Sequence, residues 1–171
     1  MTRTVRSLNS AVFARARSEG LSAAASRVLA GRLTDAQAVP AALDPKLAHL
    51  PPPSLFTDLT PALDRLERAI KDQESIGILT DYDADGLTSH AVLDAALDRF
   101  GVPVDRRSHW IGLRLEEGYG ISPLLVDRIV ESSQRPHLFI SADCGSSDEA
   151  QIARLRAAGM DVIVTDHHRV S

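Results

Sequence analysis

The chain has 171 residues, of which 44% are hydrophobic and 4% aromatic, and its formal net charge is −4. This length allows one aliphatic core and a small appendage. The single cysteine excludes a disulfide framework. No apolar run approaches the roughly 18 residues that span a bilayer, which predicts a cytoplasmic protein without a membrane partner. The negative charge provides no global attraction for a polyanion, so a nucleic acid would have to be held by local arginines and metal ions.

The first 32 residues carry six arginines and a single acidic residue, Glu19, among many serines and alanines. The arginines are Arg3, Arg6, Arg15, Arg17, Arg27 and Arg32. Such a composition is typical of a mitochondrial transit peptide. A partial apolar stripe favours an N-terminal helical arm instead, and both interpretations stay open here. The stripe consists of Val5, Leu8, Val12 and Phe13.

The segment from Thr34 to Phe56 contains five prolines, three of them consecutive at positions 51–53. Because proline breaks helices, this segment predicts a linker of short turns. The expected organisation is therefore a helical arm and Pro-rich linker over residues 1–56, followed by a second domain over residues 57–171.

The second domain alternates short strands, rich in Ile and Val, with helical segments. The predicted strands are residues 76–80, 102–104, 138–142 and 160–165. Helices are expected to start at Thr60 with Pro61, near Leu87, at Ser122 with Pro123, and at Ser147, with glycines 101 and 159 after the second and fourth. Two of these helices have predicted inward faces, formed by Leu63, Leu66 and Ile70 and by Leu124, Leu125 and Ile129. This alternation predicts an α/β fold with a parallel sheet flanked by helices.

Acidic and imidazole side chains follow three of the four predicted strands. The clusters are Asp81-Tyr82-Asp83-Ala84-Asp85-Gly86, Asp143-Cys144-Gly145 and Asp166-His167-His168. Parallel strands bring their carboxyl ends to one edge of the sheet, where open α/β sheets bind ligands. So many groups in one crevice would repel each other unless cations neutralised them. The clusters therefore predict a metal site.

Two simpler interpretations explain less of these clusters. Asp81, Asp83 and Asp85 match the first positions of an EF-hand loop, but Val92 stands where that loop needs a bidentate Glu. Capping of the following helix would explain one of the three acids. Cys144 is expected to be a small packed residue, since no basic partner is adjacent in the sequence.

The ordered motifs resemble the amino-terminal part of the RecJ single-strand-specific exonucleases, members of the DHH phosphoesterase superfamily. The matching segments are 81–86, Arg114-Leu115-Glu116-Glu117-Gly118-Tyr119-Gly120, 142–145 and 164–168. The Glu-Gly-Tyr-Gly segment indicates RecJ rather than the superfamily's pyrophosphatases or short-oligonucleotide phosphodiesterases.

This resemblance implies an incomplete DHH-type domain of a 5′ to 3′ exonuclease that hydrolyses phosphodiester bonds with two Mn²⁺ or Mg²⁺ ions. The implied partners are single-stranded DNA and proteins of DNA repair, recombination or replication. By similarity, the catalytic residues are Asp83, Asp85, Asp143, Asp166, His167 and His168. Metal ligands within this set are Asp83, Asp85, Asp143 and His167, while Asp166 would orient an imidazole. Substrate contacts are implied for Arg114, Gly86, Gly145 and His168.

Some features depart from the family pattern. Leu79 occupies a position where many superfamily members have a metal-binding His, and Gly112-Leu113 replaces a common Pro-His. The chain ends at Ser171, before the segment in which the family places a fourth metal-binding Asp. We therefore expect a truncated form with little nuclease activity by itself. The alternative function is a non-catalytic DHH-fold interaction module of a replication or repair assembly, although an inactive scaffold has no physical need for mutually repelling charges.

Overall fold

The computed structural model describes residues 7–168, apart from the side chain of His49. The chain divides into two compact units, Met1–Leu55 and Phe56–Ser171. Arg3, Val5 and Arg6 of the predicted arm lie outside the described residues. No helix in residues 7–168 is long and apolar enough to cross a membrane.

The first unit is built from short helices around a small core of its own. Its α-helices are α1 (Ser10–Ser18), α2 (Ala23–Ala30) and α3 (Val39–Leu43). The Asn9 side chain caps α1 by accepting hydrogen bonds from the backbone N–H groups of Ala11 and Val12. The Pro-rich segment, for which turns are predicted, contains single 3₁₀ turns at Ala36–Ala38, Leu47–His49 and Pro53–Leu55. The core of this unit consists of Val12, Ala16, Ala30 and Val39.

The second unit is a four-stranded parallel sheet flanked by helices, which confirms the predicted fold class. The strands are β1 (Ile76–Thr80), β2 (Arg107–Ile111), β3 (Leu138–Ala142) and β4 (Asp161–Thr165). Their order across the sheet is β2-β1-β3-β4, and every pair is parallel. The helices are α4 (Leu59–Lys71), α5 (Ala84–Arg99), α6 (Pro123–Glu131) and α7 (Glu149–Ala157).

The sheet buries apolar side chains on both faces, because successive residues of a strand point to opposite sides. On one face, Ile76, Ile78, Leu138 and Ile140 form a buried cluster with Ala69 of α4 and Leu97 of α5. On the other face, Leu79, Trp110 and Phe139 form a second cluster with residues of α6 and α7. The central strands β1 and β3 are buried along their whole length.

The predicted strand at residues 102–104 is wrong. Val102 is a buried core residue, but Pro103 follows it and Val104–Arg106 form a 3₁₀ turn. The strand begins only at Arg107 and has the sequence RSHWI. Because β2 is an edge strand, it needs fewer apolar residues than a central strand. Its polar sequence therefore does not predict a strand.

Some predicted helix starts and inward positions also need correction. Helix α4 begins at Leu59, α5 at Ala84 and α7 at Glu149, so neither Thr60 nor Ser147 is an N-cap. Leu63 and Leu124 are exposed. The predicted partners of Leu63, Leu66 and Ile70, are partly buried, and those of Leu124, Leu125 and Ile129, are buried. The prediction at Ser122 is confirmed, since its hydroxyl accepts the backbone N–H of Leu125 and Pro123 opens the helix.

Truncation of the buried phenylalanine of β3 should destabilise this unit strongly. Phe139 is fully buried in the second cluster, and a Phe139→Ala change removes its contacts and leaves a cavity. We expect the free energy of unfolding to fall by about 3–5 kcal/mol, measured by urea denaturation. Phe100→Ala, at a residue that is 61% exposed, is the matched control and should change it by no more than about 0.5 kcal/mol. Equal losses in the two variants would contradict this description of the core.

Candidate metal centre

The three clusters do meet at one edge of the sheet. Thr80, Ala142 and Thr165, the last residues of β1, β3 and β4, lie side by side in the strand register. Each is followed directly by an aspartate of one cluster. The parallel pairing therefore brings together side chains that are far apart in the sequence.

The first cluster connects β1 to α5 and positions its acids by capping that helix. Asp83 is the N-cap of α5, and its Oδ1 accepts hydrogen bonds from the N–H groups of Asp85 at 3.0 Å and Gly86 at 3.1 Å. These bonds, that of Gly86 above all, lower the pKa of Asp83. Asp81 is 4% exposed and lies in the same crevice. Capping thus accounts for one oxygen of one acid.

The second cluster places a carboxylate where burial disfavours its charge. The side chain of Asp143 is 3% exposed, and burial raises its pKa, with a further contribution from the negative charge of Asp83. Oδ1 of Asp143 lies 2.9 Å from Nε2 of His167, whereas Oδ2 is buried without a hydrogen-bond partner among the described residues. Asp143 also has a φ of +64°, a left-handed conformation that few residues other than glycine adopt. Unpaired buried oxygens and backbone strain of this kind are concentrated at functional sites.

In the third cluster, Asp166 holds the imidazole of His168. Its Oδ1 accepts the backbone N–H of His168 at 3.0 Å and lies 2.8 Å from Nδ1 of the same residue, while Oδ2 accepts the N–H of Ser146. Burial opposes ionisation of Asp166, but the hydrogen bonds from the N–H groups of His168 and Ser146 outweigh it and hold the pKa well below its usual range. The hydrogen bond to Asp166 in turn raises the pKa of His168. The hydroxyl of Tyr119 lies 3.1 Å from Nε2 of His168.

Two groups of side chains could each hold a cation. Asp81, Asp83 and Asp143 offer one ligand atom each within 4.8 Å of one another, and so do Asp143, His167 and His168. Asp143 belongs to both groups and therefore occupies a bridging position. Asp85 belongs to neither group within residues 7–168, and instead lines an adjoining cavity of about 320 Å³ with Asp143, Asp166 and His167.

Both glycines of the predicted substrate contacts have a packing role. A Cβ on Gly86 would lie 2.2 Å from the carbonyl oxygen of Asp81, and one on Gly145 would lie 3.0 Å from Oγ of Ser141. The N–H of Gly86 already donates to Asp83, so a phosphate would compete with this capping bond. Cys144 is 2% exposed and burial raises the pKa of its thiol to about 12, as expected for a packed residue.

Arg114 lies in the loop between β2 and α6 with its guanidinium over the ring of Tyr82, 5.3 Å from the centroid. Its side chain is exposed and forms no ion pair with the described residues. Glu117 of the same loop is held by Arg128 and by the N–H of Leu113. The loop is therefore anchored through Glu117 while the cation of Arg114 stays available to a ligand.

Sequence reasoning missed three contributors to this site. Asp81 was part of the first cluster but received no role, and its burial beside Asp83 depends on the turn that follows β1. Tyr119 reaches His168 and Ser146 reaches Asp166 from other segments of the chain. The Glu-Gly-Tyr-Gly segment was the sequence signal that could have identified Tyr119.

Comparison with known proteins agrees with this arrangement. The model of the DHH family N-terminal domain matches residues 75–171, more than half of the chain. This chain belongs to the DHH family. The matched residues include all four strands and all three clusters, so the predicted family is confirmed.

The DHH-family relatives of this chain include RecJ proteins. The single-stranded-DNA-specific exonuclease RecJ of Thermus thermophilus is 41% identical over 126 residues, which are 74% of this chain and 17% of that protein. A crystal structure of an exonuclease RecJ bound to manganese matches with a TM-score of 0.61 and 37% identity over 74% of this chain and 30% of the other. The crystal structure of Thermus thermophilus RecJ in complex with Mn²⁺ matches with a TM-score of 0.56 and 33% identity, covering 75% of this chain and 17% of the other. The chain thus spans about a sixth of the length of the curated relative.

Removing the charge of Asp166 should lower the pKa of His168. In an Asp166→Asn variant the imidazolium loses its carboxylate partner, so its pKa should fall toward the ordinary value of about 6.5. An NMR titration of the His168 ring protons measures this directly. Asp148→Asn is the matched control, because Asp148 also accepts a backbone N–H, from Ile121, without being bonded to His168. An unchanged His168 titration in Asp166→Asn would show that Asp166 does not hold the imidazole.

Proposed function

We propose that this chain forms part of the catalytic site of a RecJ-like exonuclease that degrades single-stranded DNA from 5′ to 3′ by hydrolysing phosphodiester bonds with two Mn²⁺ or Mg²⁺ ions. The observation that carries the proposal is the buried carboxylate of Asp143. This carboxylate belongs to both groups of ligand atoms, and its Oδ2 has no hydrogen-bond partner among the described residues. A buried charge of this kind is costly unless a cation compensates it. The RecJ relatives supply the substrate class.

The side chains present fit such ions. Carboxylate oxygens with one or two imidazoles suit Mg²⁺ and Mn²⁺, whereas zinc favours thiolate and several histidines. We assign Asp83, Asp85, Asp143 and His167 as ligands, and the position of Asp81 supports adding it to this set. Divalent ions held there would activate a water molecule and neutralise charge on the attacked phosphate.

The remaining residues of the site would orient the substrate by binding its negatively charged phosphates. Asp166 fixes the ring of His168 and favours its protonated form, which suits a contact with the scissile phosphate. The guanidinium of Arg114, which forms no ion pair with the described residues, would bind a backbone phosphate without reading bases. Backbone contacts at Gly86 and Gly145 complete the proposed substrate set. A cytoplasmic location and partners among repair or replication proteins are part of the same proposal.

Loss of the bridging carboxylate should weaken manganese binding. We expect Asp143→Ala to lower the Mn²⁺ affinity by about tenfold or more, because both groups of ligand atoms lose a member. Isothermal titration calorimetry at neutral pH measures the affinity, which should also fall as the pH is lowered, because protons compete with the metal for its ligands. Asp127→Ala on α6, where the carboxylate pairs with Arg154, is the control and should bind Mn²⁺ like the wild type. Equal Mn²⁺ affinities of Asp143→Ala and the wild type would exclude the bridging site.

The proposed activity can be tested in a chimera in which residues 75–168 replace the matching segment of Thermus thermophilus RecJ. With Mn²⁺, the chimera should release label from the 5′ end of a single strand faster than from a blunt duplex. The Asp83→Ala chimera should lose activity by more than about 100-fold. Residues that only orient a metal ligand typically contribute up to that factor, and loss of a ligand itself should cost more. The 171-residue chain alone should release little label, since it spans 17% of that relative. A folded chimera that binds Mn²⁺ but degrades no DNA would instead favour the interaction module.

A further inference from the structure

A pair of histidines lies between helix α5 and the edge strand β2. His90 of α5 faces His109 of β2, with Nε2 of His90 2.8 Å from Nδ1 of His109 and ring centroids 5.0 Å apart. His109 lies on β2, the outer strand opposite β4, whereas His90 is bonded to Thr80, which directly precedes the first acidic cluster. Neither histidine belongs to the groups described above.

The outer nitrogen of His90 also has a hydrogen-bond partner, and the outer nitrogen of His109 has a carboxylate nearby. Nδ1 of His90 lies 3.1 Å from Oγ1 of Thr80, and Nε2 of His109 lies 3.8 Å from Oδ1 of Asp94. Metal-binding histidines commonly have the arrangement that Thr80 allows at His90, in which an oxygen holds the proton on the outer nitrogen and the inner nitrogen presents its lone pair. Asp94 is itself fixed by Arg107, whose Nη1 donates to Oδ1 at 2.9 Å.

We propose that His90 and His109 form a second metal site that takes a transition-metal ion of the Zn²⁺, Ni²⁺ or Cu²⁺ class. Imidazole suits these ions, whereas the carboxylates at the strand ends suit Mg²⁺ and Mn²⁺. With metal–nitrogen bonds of about 2.0–2.1 Å, nitrogens 2.8 Å apart subtend an angle of about 90° at the ion. The side chain of His109 is 42% exposed, so water can fill the remaining coordination positions.

The two rings can accept the ion without a change of net charge on the protein. Without metal, an N–H of one ring donates to the other, and the carboxylate of Asp94 lies near Nε2 of His109 but beyond hydrogen-bond distance. Metal binding requires an unprotonated nitrogen on each of the two facing rings. The proton of His90 therefore moves from Nε2 to Nδ1. The hydroxyl of Thr80 then changes from donor to acceptor, which its free rotation permits. Burial also lowers the pKa of His90, with a further contribution from His109, and this keeps the ring neutral as a ligand.

A bound ion would join the edge strand β2 to α5, the helix whose first turn carries Asp83 and Asp85. The polar contacts between these two elements include this histidine pair and the hydrogen bonds from Arg107 to Asp94 and Asp98. The ion would therefore stabilise the packing of both elements, and folding stability would rise with its concentration.

The test titrates Zn²⁺ into the full chain with Mg²⁺ in excess at the carboxylates, and follows the ring nitrogens of all histidines by NMR. We expect the first equivalent to shift Nε2 of His90 and Nδ1 of His109. His90→Gln and His109→Gln should each weaken Zn²⁺ binding by more than about tenfold and abolish the rise in Tm. His137→Gln, at an exposed histidine bonded to Ser75, is the matched control and should behave like the wild type.

The proposal is overturned if the first equivalent of Zn²⁺ shifts only His167 and His168, or if His90→Gln and His109→Gln bind it as the wild type does. The NMR measurement on the unmodified chain decides the question even if a variant folds poorly. Retention of the His90 and His109 shifts in His167→Gln would support a site independent of the strand-end cluster.

Discussion

The candidate site depends on the parallel pairing of β1 with β3 at the centre of the sheet. All five residues of each strand are buried, and their last residues, Thr80 and Ala142, are register partners. This pairing brings the turn after β1 and the turn after β3 to the same edge, with the turn after β4 beside them. The packing of the apolar residues of these strands holds the acidic turns together, although their charges repel one another.

The same arrangement creates an electrostatic conflict at Asp143. Burial and the negative charge of Asp83 oppose its ionisation, its Oδ2 is unpartnered among residues 7–168, and its backbone has a positive φ. Each feature costs stability, and the fold tolerates them because β3 and its neighbours hold the residue in place. The proposed cation site would resolve this conflict, since a bound ion would supply the missing charge and ligand contacts.

The two proposed metal sites of the sheet differ in donor chemistry because they occupy different positions in it. The strand-end site collects carboxylates from turns, where aspartate caps helices and accepts backbone N–H groups. The histidine pair lies between an edge strand and a helix, where side chains of the strand and of α5 face each other. An edge strand can present polar side chains without disrupting the core, which is why β2 can contribute His109 while β1 and β3 are almost entirely apolar.

The sequence by itself determined the fold class, the strands β1, β3 and β4 and the three clusters, because each of these strands is an apolar run that ends in a turn. It did not locate β2, whose edge position relaxes the apolar pattern, or the helix starts that depend on local turn geometry. Only the tertiary structure decided that Asp81 is buried beside Asp83, that Tyr119 reaches His168, and which oxygen of Asp143 is left unpartnered among the described residues. The burial of Asp81 depends on the turn after β1, whereas the contact of Tyr119 and the surroundings of Asp143 depend on segments far apart in the chain, whose distances are set by packing rather than by the spacing of residues.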